Sequence, residues 1–540
     1  MNLQQVLSKY EQLRIEGSHE SASHVLFDAW HSGLQNSEVL YKLAESFYLR
    51  KNFEQAEKFV SHALKYQPEN PKYNYLAGMN ALALNEIEIA IQRFGTVPQA
   101  SRLFYADIEL AKLHKKDADA NYGCDFFAIA YQKNSDVKIL ADYLQHRIEV
   151  LRYRAEISRE EILAINSLLE RYEVEQPNSS KFMRFKAQFL YYLGELQDSS
   201  VYYQRYLSLH PDSQVAQYNL SQVLLGLGQY LEGFALMRNR QQVHIETGGN
   251  KAFAESIGLS ELAANHIDYV KGKCLVVIPE QGLGDQIWSM SFLQTFADHF
   301  ECSLEVWVVP KLFEVAQSLE LASVVVKNLL EVSEHYLKQD SDHPAKFFIS
   351  CIDLFFLLKM ADVPLSSAQS FMSSDEHLTA ELRDKYKNDQ SNAMVGLSWK
   401  SFDSGLGNRK NLPLSLIGSL SSQETIRFIS CQYGEVAKDI SQLRLLGLDI
   451  IDDEDIDNYS SLVDAFSQID ACDKVITCSN VVAHIAGALG KTTLLICSSP
   501  SIWYWNQEGT SCWYESVEVV KKTLSDPWSD VYSRLQKFLS

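Results

Sequence analysis

The chain has 540 residues, of which 46% are hydrophobic and 22% charged, so it is long enough for two or three separately cored domains. Its formal net charge of -20 excludes a broad surface for nucleic acid or anionic membrane, because both carry dense negative charge. The polar opening MNLQQVLSKYEQLRIEG lacks the pattern of a signal peptide, and no apolar run approaches the roughly 20 residues that span a bilayer. We therefore expect a cytoplasmic protein.

Nine cysteines are scattered along the chain, and none of them belongs to a CxxC pair. Cys274, Cys302, Cys351 and Cys497 lie in apolar runs, where thiols usually pack as small hydrophobic groups. We expect neither a disulfide nor a zinc site.

The first half of the chain repeats with a period of about 34 residues. In a frame that starts at Ser37, Ala44 and Ala56 stand at positions 8 and 20 and Pro68 stands at position 32, which is the tetratricopeptide pattern. Further frames start at Pro71, Ser180 and Gln214, so four units are recognisable. Residues between about 105 and 178 have a helical pattern but do not keep these positions.

Stacked repeats of this kind present concave surfaces that bind peptides, so the first half is predicted to bind a protein partner. Taken alone, such an array favours a scaffold without chemistry. Tyrosines crowd the segment YYLGELQDSSVYYQRYL, and their helical spacing favours core packing over an aromatic binding groove.

From Lys271 onward, apolar runs alternate with helical patterns, which indicates parallel sheets with crossover helices. The runs are CLVVIP, LEVWVV, AMVGLSW, IRFISCQY, LDIIDD, DKVITC and TTLLIC. A polar break, LRDKYKNDQSNA, divides them into two Rossmann-like lobes near residue 390. Ligands of such sheets bind at the carboxyl ends of the strands, so the residues that follow each run are the candidates for a site.

The first candidate is the turn EQGLGDQI, which follows the first of these runs. Gly282 and Gly284 permit a close backbone approach, and Asp285 stands where a helix should begin. The turn departs from the dinucleotide-binding fingerprint, which needs a third glycine. An acid at this place is consistent either with a role at a ligand site or with a helix cap, and the residues alone leave both open.

The second candidate is a glycine-rich loop, SWKSFDSGLGNRKN, that directly follows a strand. It carries Ser398, Lys400, Arg409 and Lys410. In an acidic protein this local basic cluster suits a phosphate or a carboxylate. A solvated loop is the alternative.

Two other strand ends carry polar side chains. Gln432 and Tyr433 are placed either to contact a base or sugar or to close a turn. Ser479 and Asn480 begin the helical segment SNVVAHIAGALGK, whose N-terminus is a position that binds anions. His484 lies in the first turns of this helix, where a lone histidine is more often structural.

Two remaining segments are predicted to be structural. The acidic run DDEDID, Asp452–Asp457, has the DxD spacing that holds a metal in some glycosyltransferases, but its place before a helix favours acids that stabilise a helix N-terminus. We therefore expect no metal. The segment SIWYWNQEGTSCWYES carries Trp503, Trp505 and Trp513, which we expect to pack near the mouth of the site and the junction of the lobes.

In this order, EQGLGDQI, GLSWKS, QYGE, SNVVAHIAGALGK, and WYW followed by SCWYES resemble the motifs of GT-B glycosyltransferases related to the family 9 heptosyltransferases. They are more similar still to bacterial flagellin glycosyltransferases that carry tetratricopeptide repeats at the front. The resemblance covers roughly residues 275–520. It implies an N-terminal tetratricopeptide α-solenoid over residues 1–250, followed by a GT-B domain over residues 251–540.

Within that GT-B domain, the resemblance implies an N-terminal lobe at residues 271–390 and a donor-binding C-terminal lobe at residues 391–515. Both lobes are Rossmann-like. Residues 516–540 are then expected to form the final helix that crosses back to the first lobe.

The resemblance also assigns roles at the site. Asp285 matches the general base that takes the acceptor proton in an inverting reaction that needs no metal. The leaving phosphate is assigned to Lys400, with Arg409 or Lys410, and to N–H groups of the helix near Asn480. The other donor-binding positions that the motifs carry over are Gly282, Gly284, Gln286, Ser398, Gln432, Tyr433, Ser479 and His484.

One departure concerns the donor sugar. Heptosyltransferases have an acid five residues before the histidine, whereas this chain has Ser479, which argues against a heptose. The similarity to flagellin-modifying enzymes implies a CMP-linked nonulosonic acid, such as pseudaminic or legionaminic acid, and loss of an acid removes a repulsion from such an anionic sugar. We expect a transferase that binds flagellin through its repeats and modifies serine or threonine.

Two other functions stay open on the sequence alone. One keeps the architecture but uses ADP-heptose or a UDP-sugar and another acceptor protein. The other is a non-catalytic tetratricopeptide adaptor or export chaperone, which the presence of Asp285 and Lys400 disfavours.

Overall fold

A computed structural model of the protein describes residues 2–114, 120–237, 248–339, 342–387, 393–402, 407–423 and 425–540. These residues form two compact units. The first comprises Met1–Val150 and Ile165–Pro177, and the second comprises Leu151–Ala164 and Asn178–Ser540. The boundary predicted at residue 250 does not coincide with this division, because the second unit already includes the helices that follow Asn178. Leu225 and Phe234, from the last two of these helices, lie in the core of the α/β part.

The first unit consists of helices, and neighbours along the chain pack against each other. Ser37 and Pro71, which start the first two predicted frames, are the first residues of two of these helices. The helices are α1 (Leu3–Ile15), α2 (His19–His31), α3 (Ser37–Leu49), α4 (Phe53–Tyr66), α5 (Pro71–Ala83), α6 (Ile87–Thr96), α7 (Phe104–Leu113), α8 (Ala120–Lys133), α9 (Val137–Val150) and α10 (Arg159–Glu175), whose first residues belong to the second unit.

The small residues of the repeat frame lie where paired helices approach each other. Ala44 and Ala56 are fully buried in α3 and α4. At Gly78 in α5 the partner helix α6 comes closer still, because a Cβ atom there would lie 2.3 Å from Cε1 of Phe94. The repeat pattern is therefore a packing requirement, and glycine at this position makes room for the aromatic ring.

This contact predicts that alanine substitutions at Gly78 of α5 and Gly95 of α6 have opposite effects on stability. Gly78→Ala is expected to lower the free energy of unfolding by about 1–3 kcal/mol, because its methyl group overlaps the Phe94 ring. Gly95→Ala serves as the control, since a Cβ atom there meets nothing within 4 Å and alanine is the better helix former by about 0.5–1 kcal/mol. Chemical denaturation measures both changes, and equal stability of the two variants would contradict the packing.

The second unit begins with further repeat helices: α11 (Ser180–Leu193), α12 (Leu196–Leu209), α13 (Gln214–Gly226) and α14 (Tyr230–Met237). Ser180 and Gln214 start α11 and α13, as the frames predict. Leu225 and Phe234 are fully buried in one hydrophobic core together with Trp288, which lies in the α/β part. These last repeats are therefore built into the unit that holds the two sheets.

A five-stranded parallel sheet with strand order β1-β5-β2-β3-β4 forms the first lobe. Its strands are β1 (Ser260–Glu261), β2 (Cys274–Ile278), β3 (Ser303–Val308), β4 (Val324–Asn328) and β5 (Phe347–Ser350). The accompanying helices are α15 (Gly248–Ser256), α16 (Leu283–Met290), α17 (Leu293–His299), α18 (Pro310–Ala316), α19 (Leu329–Gln339), α20 (Asp353–Met360) and α21 (Glu376–Tyr386).

A seven-stranded sheet with strand order β11-β12-β10-β9-β6-β7-β8 forms the second lobe, and only β11 is antiparallel to its neighbour. Its strands are β6 (Ala393–Ser398), β7 (Ile426–Ser430), β8 (Ile450–Ile451), β9 (Lys474–Cys478), β10 (Thr493–Ser498), β11 (Gly509–Thr510) and β12 (Val517–Lys522). Its helices are α22 (Gly407–Lys410), α23 (Leu414–Gly418), α24 (Ala437–Leu445), α25 (Leu462–Ala471), α26 (Val481–Ala488) and α27 (Trp528–Leu539).

Every apolar run predicted to be a strand forms one, and the described residues combine tetratricopeptide helix pairs with two Rossmann-like lobes. This confirms the predicted fold class, an α-solenoid followed by a GT-B domain. Five strands, β1, β4, β5, β11 and β12, were not predicted. β1 and β11 have two residues each, and the apolar runs of the other three are short and bordered or interrupted by lysine, serine or glutamate.

The C-terminal segment differs from its prediction. Residues 516–540 do not form only a helix that returns to the first lobe, because they contain β12 and then α27. Val531 and Leu535 of α27 are buried in a core formed by residues of the second lobe, such as Leu397 and Leu494. The chain leaves β12 beside β10, so the apolar face of the helix covers the sheet that the chain has just left.

The cysteines and the apolar helices are two further features of the described residues. All nine cysteines are free thiols. Among the described helices, none is both long and apolar enough to cross a membrane.

Candidate active site

A cleft of about 470 Å³ lies between the two lobes of the second unit. Three parts of the chain form its walls: the turn before and in α16, the second lobe around the start of α26, and the repeat helices α13 and α14. The lining residues are Tyr218, Gln222, Met237, Gln281–Asp285, Ser401, Lys410, Tyr433, Ser479–Val481, His484 and Ile502–Tyr504.

Asp285 is the third residue of α16, and its carboxylate both caps the helix and faces the cleft. Its Oδ2 accepts a hydrogen bond from the backbone N–H of Gly282 at 3.0 Å. This bond closes the turn between β2 and α16 and fixes the carboxylate at the cleft wall. The helix cap expected for Asp285 is therefore present, and its carboxylate also borders the cleft.

Burial raises the pKa of Asp285 to about 7. The hydrogen bond from Gly282 and the charge of Lys410 act in the opposite direction, while the charge of Glu280 raises the pKa further. Glu280 is itself buried, and its Oε2 accepts a hydrogen bond from the hydroxyl of Ser350. A carboxylate with this pKa exchanges a proton readily near neutral pH, which is the property of a general base.

The raised pKa predicts that ionised Asp285 destabilises the fold. Between the ordinary aspartate pKa of 3.8 and about 7, the folded protein binds a proton that the unfolded chain lacks, so the free energy of unfolding falls as the pH rises and levels off above about 7. The free energy of unfolding of Asp285→Asn is expected to be about 1–3 kcal/mol higher than that of the wild type at pH 8. Chemical denaturation at several pH values should show this difference closing toward pH 4, and a difference independent of pH would contradict the shift.

Gly284 brings the two lobes into contact beside Asp285. A Cβ atom at Gly284 would lie 2.6 Å from Cδ2 of His484, so only glycine lets α16 pack this closely against α26. His484 Nδ1 lies 2.9 Å from the hydroxyl of Tyr514. Burial and the charge of Lys410 lower the pKa of His484 to about 3, so the ring is neutral. His484 thus lines the cleft as a neutral, hydrogen-bonded side chain.

The basic residues of the predicted loop do not lie together in the cleft. Lys410 is the one of the three that lines it. Lys400 Nζ lies 2.5 Å from Oδ2 of Asp439 and does not line it. Arg409 is buried and donates to the backbone carbonyl groups of Tyr192, at 3.0 Å, and of Ser499. Neither Lys400 nor Arg409 lines the cleft itself, because partners distant in sequence hold both side chains. Arg409 lines a smaller adjoining cavity, which shares Lys410 and Ser479 with the cleft.

Ser398, Gln432 and Asn480 hold the strand ends of the second lobe together. Gln432 Oε1 accepts hydrogen bonds from Ser398 Oγ at 3.1 Å and from the backbone N–H groups of Trp399 and Lys400 at 2.8 and 2.7 Å. Asn480 Nδ2 donates to Ser398 Oγ at 2.8 Å. Gln432 therefore closes a turn, which is one of the two roles the sequence leaves open.

Asn480 also fixes the start of α26. Its Oδ1 accepts a hydrogen bond from the backbone N–H of Val482 at 3.0 Å. With Ser479 and Val481 it lines the cleft, so the positive end of this helix faces Asp285 across the cavity. By contrast, Gln286 is buried in α16 and does not line the cleft, although the motif carries it over as a donor-binding residue.

A second cavity of about 660 Å³ meets the cleft at Tyr433 and lies at the carboxyl ends of β7 and β8. The acidic run borders it, but Asp453 is engaged by Lys385 Nζ at 2.6 Å and by the hydroxyl of Tyr386 at 2.7 Å. Asp455 also binds Lys385, at 2.8 Å. In the described parts of the chain no three His, Cys, Asp or Glu side chains are grouped to hold a metal ion.

Aromatic side chains pack at the junction of the lobes, as the sequence predicts for this segment. The ring centroid of Trp288 in α16 lies 5.1 Å from that of Trp503 and 5.3 Å from that of Trp513. Trp503 also lines the cleft. These contacts join the helix that carries Asp285 to the second lobe.

The repeat helices contribute side chains to the cleft that no sequence motif predicts. Tyr218, Gln222 and Met237 line it, yet their positions in the repeat frame are not distinguished by any motif. Only the tertiary packing of α13 and α14 on the lobes reveals them.

Comparisons with known proteins give distant similarities. The chain matches no protein-family model. Protein FlbA of Caulobacter vibrioides is 22% identical over 279 residues, which are 49% of this chain and 46% of that protein, so the chain spans about half the length of this relative.

Two solved structures are also similar to this chain. Escherichia coli ADP-heptose LPS heptosyltransferase II is 12% identical, with 49% of this chain and 98% of that chain covered and a TM-score of 0.35. The C-terminal part of a TPR repeat-containing protein from Cytophaga hutchinsonii is 10% identical, with 44% and 94% covered and a TM-score of 0.34.

Proposed function

We propose that the protein is an inverting, metal-independent O-glycosyltransferase that transfers a nonulosonic acid of the pseudaminic or legionaminic type from a CMP-linked donor to serine or threonine residues of flagellin. It acts in the cytoplasm before flagellin is exported. The observation that carries the proposal is Asp285, with its pKa raised to about 7, in a cleft that it shares with Lys410 and the positive end of α26.

The reaction needs one base and one site for the leaving group. Asp285 takes the proton of the acceptor hydroxyl as its oxygen attacks the anomeric carbon of the donor. The bond from that carbon to the phosphate oxygen breaks, and its electron pair stays on the phosphate. Lys410 and the N-terminus of α26 stabilise the negative charge of this phosphate. A single displacement inverts the configuration of the sugar.

The charges that line the cleft support a donor with one phosphate and an anionic sugar. Among the described lining residues, Lys410 is the one Lys or Arg and Asp285 the one acid. One cation with one helix N-terminus suits the monophosphate of a CMP-sugar better than the diphosphate of ADP or UDP donors. Ser479, in place of a second acid, leaves the carboxylate of a nonulosonic acid without a repelling neighbour.

The adjoining cavity of about 660 Å³ supports the placement of the nucleoside. Its acidic border repels phosphate but accepts hydrogen bonds from ribose hydroxyls and from the amino group of cytosine. A nucleoside in this cavity directs its phosphate past Tyr433, which lines both cavities, toward Lys410.

The repeat helices of the first unit supply the proposed binding surface for flagellin. A surface cavity of about 310 Å³ there is lined by aromatic and charged side chains, including Tyr75, Tyr105, Lys112 and Asp136. Tyr105 is half exposed. Such a surface suits a polypeptide with both apolar and charged groups.

A transfer assay with purified components tests the proposed function. Wild-type protein, flagellin monomer and a CMP-linked nonulosonic acid should yield flagellin whose intact mass has increased by whole sugar units. Calorimetric titration should also show tighter binding of CMP than of ADP or UDP. Unchanged flagellin mass, or transfer from ADP-heptose or a UDP-sugar instead, would contradict the proposal.

A further inference from the structure

We propose that helix α13 of the repeat array supplies two side chains that contact substrate: Tyr218, which contacts the acceptor, and Gln222, which contacts the sugar being transferred. This inference rests on the proposed function and assigns part of the substrate selection to a repeat helix within the active site.

The two side chains share one face of α13. They are four residues apart in a helix that spans Gln214–Gly226, so they lie one above the other. Both line the cleft that contains Asp285. In an isolated repeat array this face would be a surface for protein binding, whereas here it closes the third side of the cleft.

The packing of α13 fixes these side chains relative to the lobes. Gly226, one further turn along the same face, would place a Cβ atom 2.7 Å from Nδ2 of Asn506 in the second lobe. The adjacent Leu225 is fully buried in the core that also contains Trp503. Because the helix is held at its C-terminal end by both contacts, Tyr218 and Gln222 are preorganised for substrate.

A second tie to the second lobe lies on the preceding repeat. Gly194, which ends α11 with a φ of 88°, would place a Cβ atom 2.5 Å from Oγ of Ser499. Arg409 donates to the carbonyl of Tyr192 in α11 and to that of Ser499. The last repeats are therefore locked to the donor-binding lobe over two helices, and their side chains keep a constant distance from the donor.

A smaller cavity of about 80 Å³ distinguishes the proposed role of Gln222 from that of Tyr218. This cavity shares Gln222, Lys410 and Ser479 with the main cleft. In the proposed reaction the donor phosphate lies at Lys410 and the sugar carboxylate near Ser479, so the sugar lies beside Gln222. The amide of Gln222 can donate to a carboxylate or hydroxyl and accept from a hydroxyl. The described lining of this smaller cavity contains no acid but includes the cations Arg409 and Lys410, which suits an anionic substituent of the sugar.

Tyr218 lines only the main cleft, on which Asp285 also lies. The acceptor hydroxyl must come within hydrogen-bonding distance of Asp285, so the polypeptide that carries it passes through this part of the cleft. A tyrosine offers such a chain both an aromatic face and a hydroxyl group. Tyr218 is thus placed to contact the residue that becomes glycosylated or its neighbours.

Steady-state kinetics of the full-length protein with flagellin and a CMP-linked nonulosonic acid test this division. Tyr218→Ala should raise the KM for flagellin about tenfold and leave the KM for the donor within about twofold. Gln222→Ala should raise the KM for the donor about tenfold while the affinity for CMP, which lacks the sugar, stays at the wild-type value. Val215→Ala is the matched control, because Val215 is 60% exposed on α13 and lines neither cavity.

The outcomes separate this inference from the proposed function. Wild-type KM values for both substrates in both alanine variants would overturn the inference and leave the proposed function standing. Weakened CMP binding in either variant, or equal effects in Val215→Ala, would overturn it as well, because the helix would then act only through the fold. A wild-type protein that transfers no sugar to flagellin would overturn the proposed function and this inference with it.

Discussion

Asp285→Asn is expected to reduce sugar transfer by about 10²–10⁴-fold, because the amide cannot take the proton of the acceptor hydroxyl. The amide oxygen still accepts the hydrogen bond from Gly282 N–H, so the turn should persist and donor binding should remain. The rate of transfer by purified protein, measured from the intact mass of flagellin, checks the first effect, and calorimetric titration with CMP checks the second.

The wild-type rate should also depend on pH in a defined direction. Since Asp285 must be deprotonated to act as a base and its pKa is raised to about 7, kcat/KM should rise with pH through that value. Asp298→Asn is the matched control, because Asp298 is an exposed acid of the same lobe whose partner is Gln294. If Asp285→Asn kept the wild-type rate, another group would be the base and the assignment of Asp285 would be wrong.

Lys410→Met and Lys400→Met are expected to differ strongly, although both lysines belong to the same basic loop. Loss of Lys410 removes the cation that faces the leaving phosphate and should lower kcat by about 10²–10³-fold. Loss of Lys400 removes an ion pair with Asp439 outside the cleft, so kcat should stay within several-fold of the wild type.

The Lys410 variant also has an effect that a merely structural lysine would not produce. The charge of Lys410 lowers the pKa of Asp285, so its removal should move the rise of kcat/KM to a higher pH. Single-turnover rates over a range of pH measure both effects. Equal losses of kcat in the two variants, or an unchanged pH profile in Lys410→Met, would contradict the placement of the phosphate.

Local sequence patterns were sufficient to predict most of the architecture. The repeat frames begin at Ser37, Pro71, Ser180 and Gln214, and each of these residues starts a helix. This succeeds because small residues and prolines at fixed spacing are direct requirements of helix pairing. Seven of the twelve described strands are predicted for a similar reason, since a buried parallel strand needs a short apolar run.

Part of the cleft lining follows from the sequence, and the side chains that lie elsewhere do so for a common reason. Asp285 and Lys410 follow strands and both line the cleft, because parallel strands bring their carboxyl ends to one edge of a sheet. Lys400 and Arg409 follow the same strand but are held by Asp439 and by the backbone of Tyr192. Such partners lie far away in the sequence, and no local pattern indicates them.

The same limit applies to whole elements. The amphipathic face of α27 predicts burial but does not identify the surface that it covers, which proved to be the second lobe. Likewise, Tyr218 and Gln222 occupy ordinary positions of a repeat helix, and their place in the cleft follows only from the packing of α13 on the second lobe.

The most direct test of the central claim is the intact mass of flagellin from cells that carry the wild-type protein, lack it, or carry Asp285→Ala at matched levels. The proposed function predicts that the mass added by the glycan disappears in both altered strains and that the increment in the wild type equals whole nonulosonic acid units. An identical flagellin mass in all three strains would contradict it.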